Sequence, residues 1–558
     1  MSRIRHVRTL AIAGAVLTLL AVLAGSVVTR DAHGATAQKN VVFILTDDMP
    51  TSEITAMPNV QNLIAAQGTT FNEAYISFPL CCPSRATMMS GLYMHNHGVR
   101  GNFPPNGSWL RFRPLEANDV AVQMHTDGYY DVHIGKYMNF YATQNNELPV
   151  PPGWDEWYGK VSEDALYYDY NLIEKTGPTA TPRLTFYGDA PLDYQTDVFA
   201  NRAVDFVKDL NAGTQTPFWL NLWFNSPHGP FDPAPRDLFK FASAPLPRLP
   251  GFNEKDIRDK PKWLRKQAKH RLNKKQIKVI STERRRQEEQ LISVDQAVGD
   301  LIQTLKNRGL LDSTYIVFSS DNGFFRGEHR IASGKYLPYD PSARVPLIIR
   351  GPGIPAGGIS NEIVWNGDIP QTLLQIASGS QNPALDGRTL LPYAQDPALR
   401  STRPVLLEGD TGPGGTGAES AQTSAARART ARVHVAGRRG VNNLDQETDA
   451  IKSAAANSDT APAYRSIRTD RYEYTIYANG QTELYDMKHD PAQLHSLVGD
   501  PRYRYVRQWL FSALVPLSTC AGGSCRVELG PDPPPLPKRA LKPKRKPKGK
   551  GPNQPAAK

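Results

Sequence analysis

The chain has 558 residues, 40% hydrophobic and 21% charged, ordinary proportions for a globular protein with a real core and long enough for more than one domain. Its net charge of +11 is confined to the two ends: residues 1–37 carry Arg3, Arg5, Arg8 and Arg30 against Asp31, and residues 531–558 carry nine Lys and Arg against Asp532. The stretch 38–530 is therefore neutral, so the basic balance is no argument for a nucleic-acid partner, and neither interleaved aromatics nor a recognisable binding module accompany it.

Arg3, Arg5 and Arg8 precede an apolar run from Leu10 to Val28, and Ala35-Thr36-Ala37 offers a small-x-small cleavage site before Gln38. This predicts a signal peptide over 1–37 and a secreted or cell-envelope protein. An uncleaved anchor is the alternative, because the run is nearly long enough to span a bilayer. Residues 41–45 form the first of five strand-like apolar runs, followed by 131–134, 218–224, 314–318 and 345–349, with helical patterns such as 197–210 and 288–305 between them. The alternation predicts an α/β fold over 38–400, with a large, mostly parallel sheet between helices. Four of the runs lead into polar residues: Asp47-Asp48, Lys136, His228 and Asp321-Asn322. Ligands bind beyond the carboxyl ends of strands in such sheets, so these six positions are expected to meet in one cleft.

Residues 255–290 hold 14 Lys and Arg against 5 Asp and Glu. They read as a solvated helical insertion or as a rim that attracts an anionic polymer. Residues 401–463 are rich in Gly, Ala, Ser and Thr and read as a flexible insertion. Alternation returns at 464–477 and 483–486, as expected for an antiparallel sheet in a smaller C-terminal α+β domain over 464–526. Cys520 and Cys525 flank a short loop that could close as a disulfide in an oxidising compartment, whereas the adjacent Cys81 and Cys82 would make a strained bridge. From 527 to 558 the chain turns Pro-rich and then Lys-rich, a disordered basic tail that either holds the protein near an anionic surface or only aids solubility.

The segment Cys81-Cys82-Pro83-Ser84-Arg85 opens a helix-like stretch that reaches Gly91. A helix starting near Pro83 would set free N–H groups and a partial positive charge beside residue 81, where an anion could be held, and Arg85 adds a planar fork suited to anion oxygens. Asp47-Asp48 and Asp321-Asn322 contribute three carboxylates and an amide, which would repel without a cation. Such hard oxygen donors suit Ca2+ or Mg2+. Taken alone, each pair also reads as a strand-ending turn.

The Cys81 segment resembles the signature of the formylglycine-dependent (type I) sulfatases, C-x-P-S-R followed by a helix and Gly, and the likeness extends over roughly 39–400 and 464–500. Within that family the chain looks closest to the N-acetylglucosamine-6-sulfatase branch and its extracellular heparan relatives. The motifs are Leu80-Cys81-Cys82-Pro83-Ser84-Arg85, Tyr93-Met94-His95-Asn96-His97, Gly135-Lys136-Tyr137-Met138-Asn139 and Pro152-Gly153-Trp154-Asp155. The resemblance implies an alkaline-phosphatase-like fold and oxidation of Cys81 to an aldehyde by a formylglycine-generating enzyme that reads Pro83 and Arg85. It implies Asp47, Asp48, Cys81, Asp321 and Asn322 around Ca2+ or Mg2+, Lys136 and Lys335 on sulfate oxygens, and His228 protonating the departing sugar oxygen. Of the two hydroxyls of the hydrated aldehyde, one would attack sulfur, with Asp321 taking its proton, and the other would expel sulfate. The implied substrate is the 6-O-sulfate of N-acetylglucosamine in a sulfated glycan. Its rivals are small aryl sulfates, phosphate or phosphonate esters, and an inactive sugar-binding role. Met138 departs from the histidine that arylsulfatases commonly carry two residues after the lysine, as that branch also does, and the base that helps sulfate leave is sought among His95, His97 and His329.

Overall fold

The first strand, β1 (Asn40–Thr46), is buried along its whole length. Val41, Phe43 and Leu45 enter one hydrophobic core, and Val42 and Ile44 enter another. A strand covered on both faces has no solvent side, which is why its sequence is continuously apolar rather than alternating. The protein is seen in a computed structural model that describes residues 38–142, 147–162, 166–211, 216–245, 247–410, 456–457 and 461–537. The expected signal peptide lies outside the described residues.

The remaining strands of the first half are β2 (Thr69–Tyr75), β3 (Tyr130–Gly135), β4 (Glu156–Lys160), β5 (Tyr170–Thr176), β6 (Arg183–Tyr187), β7 (Phe218–Trp223), β8 (Thr314–Ser320), β9 (Ile331–Ser333), β10 (Leu347–Arg350) and β11 (Gly358–Trp365). Nine of them, all but β9, join β1 in one sheet in the order β11-β2-β10-β8-β1-β7-β3-β4-β5-β6. Its centre, β8-β1-β7-β3-β4, is parallel. Only β10 and β5 run against their neighbours. The run expected as a strand over 345–349 therefore begins at Leu347, because Pro346 has no N–H to give the ladder, and it is antiparallel.

Helices cover both faces. On one side α1 (Cys81–Ser90), α2 (Val120–Thr126) and, later in the chain, α5 (Asp368–Ser378) contribute Ala86, Met89, Val120, Met124 and Leu373 to the first core. On the other, α3 (Gln195–Asp209) and α4 (Lys274–Asn307) contribute Phe199, Val207, Leu291 and Val298 to the second. Each of the Val, Leu, Phe and Met side chains contributes about 1.5–3 kcal/mol when fully buried, so packing rather than helix propensity fixes these elements. α4 is longer than the pattern at 288–305 suggested. The Asn273 side chain accepts from Gln276 N, and the Gln276 side chain reaches back to the Asn273 backbone. Part of the basic segment 255–290 is thus the first half of a sheet-covering helix rather than a solvated insertion, and Arg284 there pairs with buried Glu53 at 3.1 Å.

The second half adds β12 (Val405–Gly409), β13 (Ala456–Asn457), β14 (Tyr464–Arg468), β15 (Tyr472–Tyr477) and β16 (Thr482–Asp486). β13 pairs with β9. The others form the antiparallel sheet β12-β14-β15-β16, against which α6 (Arg504–Leu517) packs Val506, Leu510 and Leu514. A large, mostly parallel sheet between helices with a smaller antiparallel sheet following it is the expected α/β, alkaline-phosphatase-like plan. Two details differ from expectation. β12 comes from the span read as a flexible insertion, of which 411–455 and 458–460 lie outside the described residues. The first residues of the tail are held: Tyr472 OH donates to Pro533 O at 2.9 Å, Leu536 N donates to Arg502 O at 2.9 Å, and Glu528 pairs with Arg388. Residues 538–558 lie outside the described residues. Cys520 and Cys525 are disulfide-bonded, and Cys81 and Cys82 are free thiols.

Candidate active site

The register of the central strands decides which residues meet. Thr46 of β1 pairs with Ser320 of β8, Leu45 with Trp223 of β7, and Gly135 of β3 with the same Trp223. Because these strands are parallel, the next residues, Asp47, Asp321 and Lys136, leave the sheet at one edge beside each other. Backbone bonds fix them there: Asp321 N donates to Thr46 O (3.0 Å), Asp47 N to Ser226 O (3.1 Å) and Lys136 N to Trp223 O (2.9 Å). Asp48 turns the chain with φ 63°, a left-handed conformation that Asp tolerates better than most residues, and its N–H donates to Asp321 Oδ1 at 3.2 Å.

α1 enters this cluster with its first residue. Cys81 is fully buried, with its Sγ 2.7 Å from Lys335 Nζ and 3.5 Å from Asp47 Oδ1. Arg85 lies one turn further along the same helix face. It too is fully buried; its Nε donates to Asp321 Oδ2 (2.8 Å), Nη1 to Lys136 O (2.8 Å) and Nη2 to Asp47 Oδ2 (3.3 Å), and it lies over the Trp223 ring. All three nitrogens are turned to protein, so the fork expected to grip an anion instead clamps two carboxylates in place.

The start of α1 also differs from expectation. The helix begins at Cys81 rather than near Pro83, with Leu80 as its N-cap. Cys82 N donates to Asn102 Oδ1 (2.9 Å), Ser84 N donates to Leu80 O (3.0 Å), and Pro83 has no N–H. The first turn has few donors left for a ligand, and the positive charge facing residue 81 comes from side chains.

Those side chains are Lys136, bonded to Asp47 Oδ2, and Lys335, 2.5 Å from Asp48 Oδ1. His228 Nε2 lies 3.6 Å from Asp48 Oδ2, and Nδ1 lies 2.5 Å from Gly229 O. A carbonyl only accepts, so Nδ1 carries a hydrogen and Nε2 is the nitrogen that faces the cluster. Asn322 Nδ2 donates to Asp48 Oδ1 at 2.6 Å, while its Oδ1 is buried without a hydrogen-bond partner among the described residues.

The charges balance: Asp47, Asp48 and Asp321 face Arg85, Lys136 and Lys335. The repulsion expected among the carboxylates is already offset by these three bases. Burial alone would raise the Asp47 carboxyl, but Lys136, His228, Arg85 and Lys335 together hold it well below the usual carboxylate range. Burial, then the Asp47 charge, pushes Asp321 up to about 6 against Arg85 and the lysines. Burial pushes His228 down, although Asp48 and Asp47 oppose it. Burial and then Asp47 push the Cys81 thiol well up, so an unmodified Cys81 is a poor thiolate nucleophile.

Asp47, Asp48, Cys81 and His228 offer ligand atoms within 4.8 Å of one another. With Asp321 and the unsatisfied Asn322 Oδ1, the set is dominated by hard oxygen donors and fits a divalent cation of the Ca2+ or Mg2+ kind. Such an ion would add its own charge to a neutral cluster, leaving a surplus suited to an anionic ester.

The pattern that defines the sulfatase family matches residues 39–380, more than half of the chain. The chain belongs to the sulfatase family. It is 32% identical over 400 residues to human N-acetylglucosamine-6-sulfatase, covering 70% of each chain. It is 33% identical over 384 residues to the extracellular sulfatase SULF-1 homolog of Drosophila melanogaster, covering 67% of this chain and 33% of that one. The chain spans a third of the Drosophila protein's length and about half that of a Caenorhabditis elegans relative, 35% identical over 363 residues. Among solved structures, BT4656 in complex with its substrate D-glucosamine-2-N,6-O-disulfate superposes with a TM-score of 0.64 at 21% identity, covering 86% of this chain and 98% of that one, which shows a common fold. The family is the formylglycine-dependent (type I) one; within it no branch is singled out, because relatives of different names match at nearly equal identity.

In this sulfatase-family chain, Trp223 and Asn102 belong to the site without having been expected there. Trp223 ends a strand that reads as core, and Asn102 sits in a loop with no motif of its own. The histidines considered for the last step are engaged elsewhere. His95 lies 3.1 Å from Glu408, His97 3.1 Å from Thr87 Oγ1 and His329 2.7 Å from Glu254. Met138 is buried in the first core.

Proposed function

We propose that the chain is a secreted sulfatase that hydrolyses sulfate monoesters through a formylglycine made from Cys81, and that it takes the 6-O-sulfate of N-acetylglucosamine in a sulfated glycan. The observation that carries the reaction class is the 2.7 Å approach of Lys335 to Cys81 Sγ within a buried cluster of carboxylates. Cys81 Sγ stands in for an oxygen of the hydrated aldehyde. Once formed, that group supplies one hydroxyl to attack sulfur and a second to release sulfate. Calcium or magnesium held by Asp47, Asp48, Asp321 and Asn322 would supply charge stabilisation at residue 81. The chain's own residues do the rest. Lys335 and Lys136 place positive charge where the ester's oxygens arrive, and Arg85 keeps Asp47 and Asp321 in position; His228 gives the departing oxygen a proton from Nε2 as the imidazolium, the form that Asp48 and Asp47 favour against burial.

The substrate reading rests on the human N-acetylglucosamine-6-sulfatase likeness across 70% of both chains and on Met138 in place of the arylsulfatase histidine. A formylglycine-generating enzyme is the maturation partner, and the basic tail is a means of staying near an anionic surface. The test is sulfate release from a panel of sulfated mono- and disaccharides, with aryl sulfate and aryl phosphate alongside. Preferential turnover of 6-O-sulfated N-acetylglucosamine is expected, and faster phosphate hydrolysis would overturn the reading. The peptide holding Cys81 should be lighter than its thiol form by about 18 Da, the difference between a thiol and an aldehyde side chain (compare). Unmodified thiol in active protein would sink the formylglycine proposal.

A further inference from the structure

We infer that His125, Asp131 and Asp155 form a second divalent-cation site, of the imidazole-and-carboxylate class that takes Zn2+, at the opposite end of β3 from the Cys81 cluster. Asp131 is the second residue of β3, and Lys136 follows its last, so about 16 Å of extended chain separates the two places. The three residues offer ligand atoms within 4.8 Å of one another.

The decisive observation is Asp131. It is fully buried, yet among the described residues neither of its carboxylate oxygens has a hydrogen-bond partner. A buried carboxylate without partners is strongly disfavoured unless it is protonated or meets a cation. The lysine in this region, Lys175, donates its Nζ to Trp154 O at 2.8 Å. The other nearby carboxylate, Asp119, accepts from Ala121 N and Val122 N at the start of α2. What does face Asp131 Oδ2 is His125 Nδ1, 3.7 Å away and also 3.4 Å from Asp155 Oδ2.

The backbone holds the two carboxylates together. Asp131 N donates to Asp155 Oδ2 (2.9 Å), and Asp155 N donates to Asp131 O (2.9 Å). His125 closes the group from the last turn of α2, with its side chain 51% exposed, which leaves a solvent path for an ion. One imidazole and two carboxylates with an open side match zinc, which takes three or four nitrogen and oxygen ligands, better than calcium, which takes six to eight oxygens. An ion there would tie the end of α2 to the start of β3 and to the loop before β4.

The test uses the full chain stripped with a chelator and titrated with Zn2+, read by calorimetry and by thermal unfolding. Four proteins are compared: wild type, Asp47→Asn, His125→Ala and Asp131→Asn. One zinc equivalent that raises the unfolding temperature should persist in Asp47→Asn, where the Cys81 cluster is impaired. It should weaken in both His125→Ala and Asp131→Asn by more than the ~10–100-fold measured for residues that only support a metal ligand. His125 is half exposed, so its loss should leave the fold intact and keep the test valid should Asp131→Asn not fold. Zinc binding unchanged in His125→Ala, or no zinc equivalent in Asp47→Asn, would overturn the site and leave an ion-pair triad in its place.

Discussion

Gly135 and Trp223 approach so closely across β3 and β7 that a Cβ on Gly135 would lie 1.9 Å from Trp223 O. The same carbonyl accepts from Lys136 N, so the contact sets where the lysine leaves the sheet. Gly135 also has φ 115°, a region that L side chains rarely adopt. Gly135→Ala should therefore lower stability by about 1–3 kcal/mol from backbone strain and reduce sulfate release by roughly 100-fold, the scale of a displaced catalytic group. Thermal unfolding and turnover of the preferred substrate measure the two effects, and a fully active, equally stable variant would show that the approach is not what positions Lys136.

Arg85 distinguishes clamping from substrate binding. Its three nitrogens bond Asp321, Lys136 O and Asp47. Lysine cannot reproduce that fork, and its single ammonium would leave some of the three partners unbonded, a loss of about 1.5–3 kcal/mol for each charge-assisted bond left unmade. Arg85→Lys should lower the unfolding temperature and kcat together. A variant that folds as well as the parent and shows only a raised KM would mean that Arg85 touches the ester after all.

Lys335 is the cation in contact with residue 81. Lys335→Met keeps much of the volume and removes the charge. The expected loss in kcat is about 10²–10³-fold, the range for one donor aimed at developing negative charge. Formylglycine content, checked by mass, should be unchanged, which separates lost chemistry from lost maturation.

Glu116 offers a pH test away from the cluster. It accepts from Trp109 Nε1 at 2.7 Å, and burial pushes its carboxyl up to about 7 from 4.5. A raised carboxyl binds more protons when folded than when unfolded, so its contribution is complete below pH 4.5 and is lost as pH rises through 7. Glu116→Gln cannot ionise and should remove on the order of 3 kcal/mol of pH dependence across that window, seen as a flatter plot of unfolding temperature against pH. Parallel plots for the two proteins would contradict it.

Much of the site was legible because its residues stand at the ends of apolar runs. Asp47, Lys136 and Asp321 follow β1, β3 and β8 directly, and only the parallel register was needed to bring them together. What lay beyond reach depended on contacts between distant segments. That Arg85 faces Asp47 and Asp321 follows from how α1 lies against the sheet edge, which no local pattern records. The donors at the start of α1 were expected to be free because Asn102, which takes the N–H of Cys82, lies in a loop without a signal. Among the strands, β2 interrupts its apolar residues with Asn72 and Glu73, and β6 is an edge strand with exposed Leu184 and Phe186, so neither shows the buried run that revealed β1. The basic stretch ahead of residue 290 hid a helix because charge dominates its composition while its buried face is largely polar, with Glu283, Arg284, Gln287 and Glu288 turned inward.

Cys81 has no exposed surface in the finished fold, and what encloses it arrives late. Lys335, against its sulfur, is 254 residues downstream, and Tyr464 OH, which bonds Tyr336 O beside that lysine, comes later still. At a synthesis rate of about 5–20 residues per second, residue 81 waits roughly 10–50 s before its neighbour at 335 exists. If residue 81 is remodelled as proposed, a second protein can reach it only before the fold closes around it. Maturation is then a race between a modifying enzyme and folding. A chain made without that enzyme and refolded from denaturant should recover the same architecture around an untouched thiol.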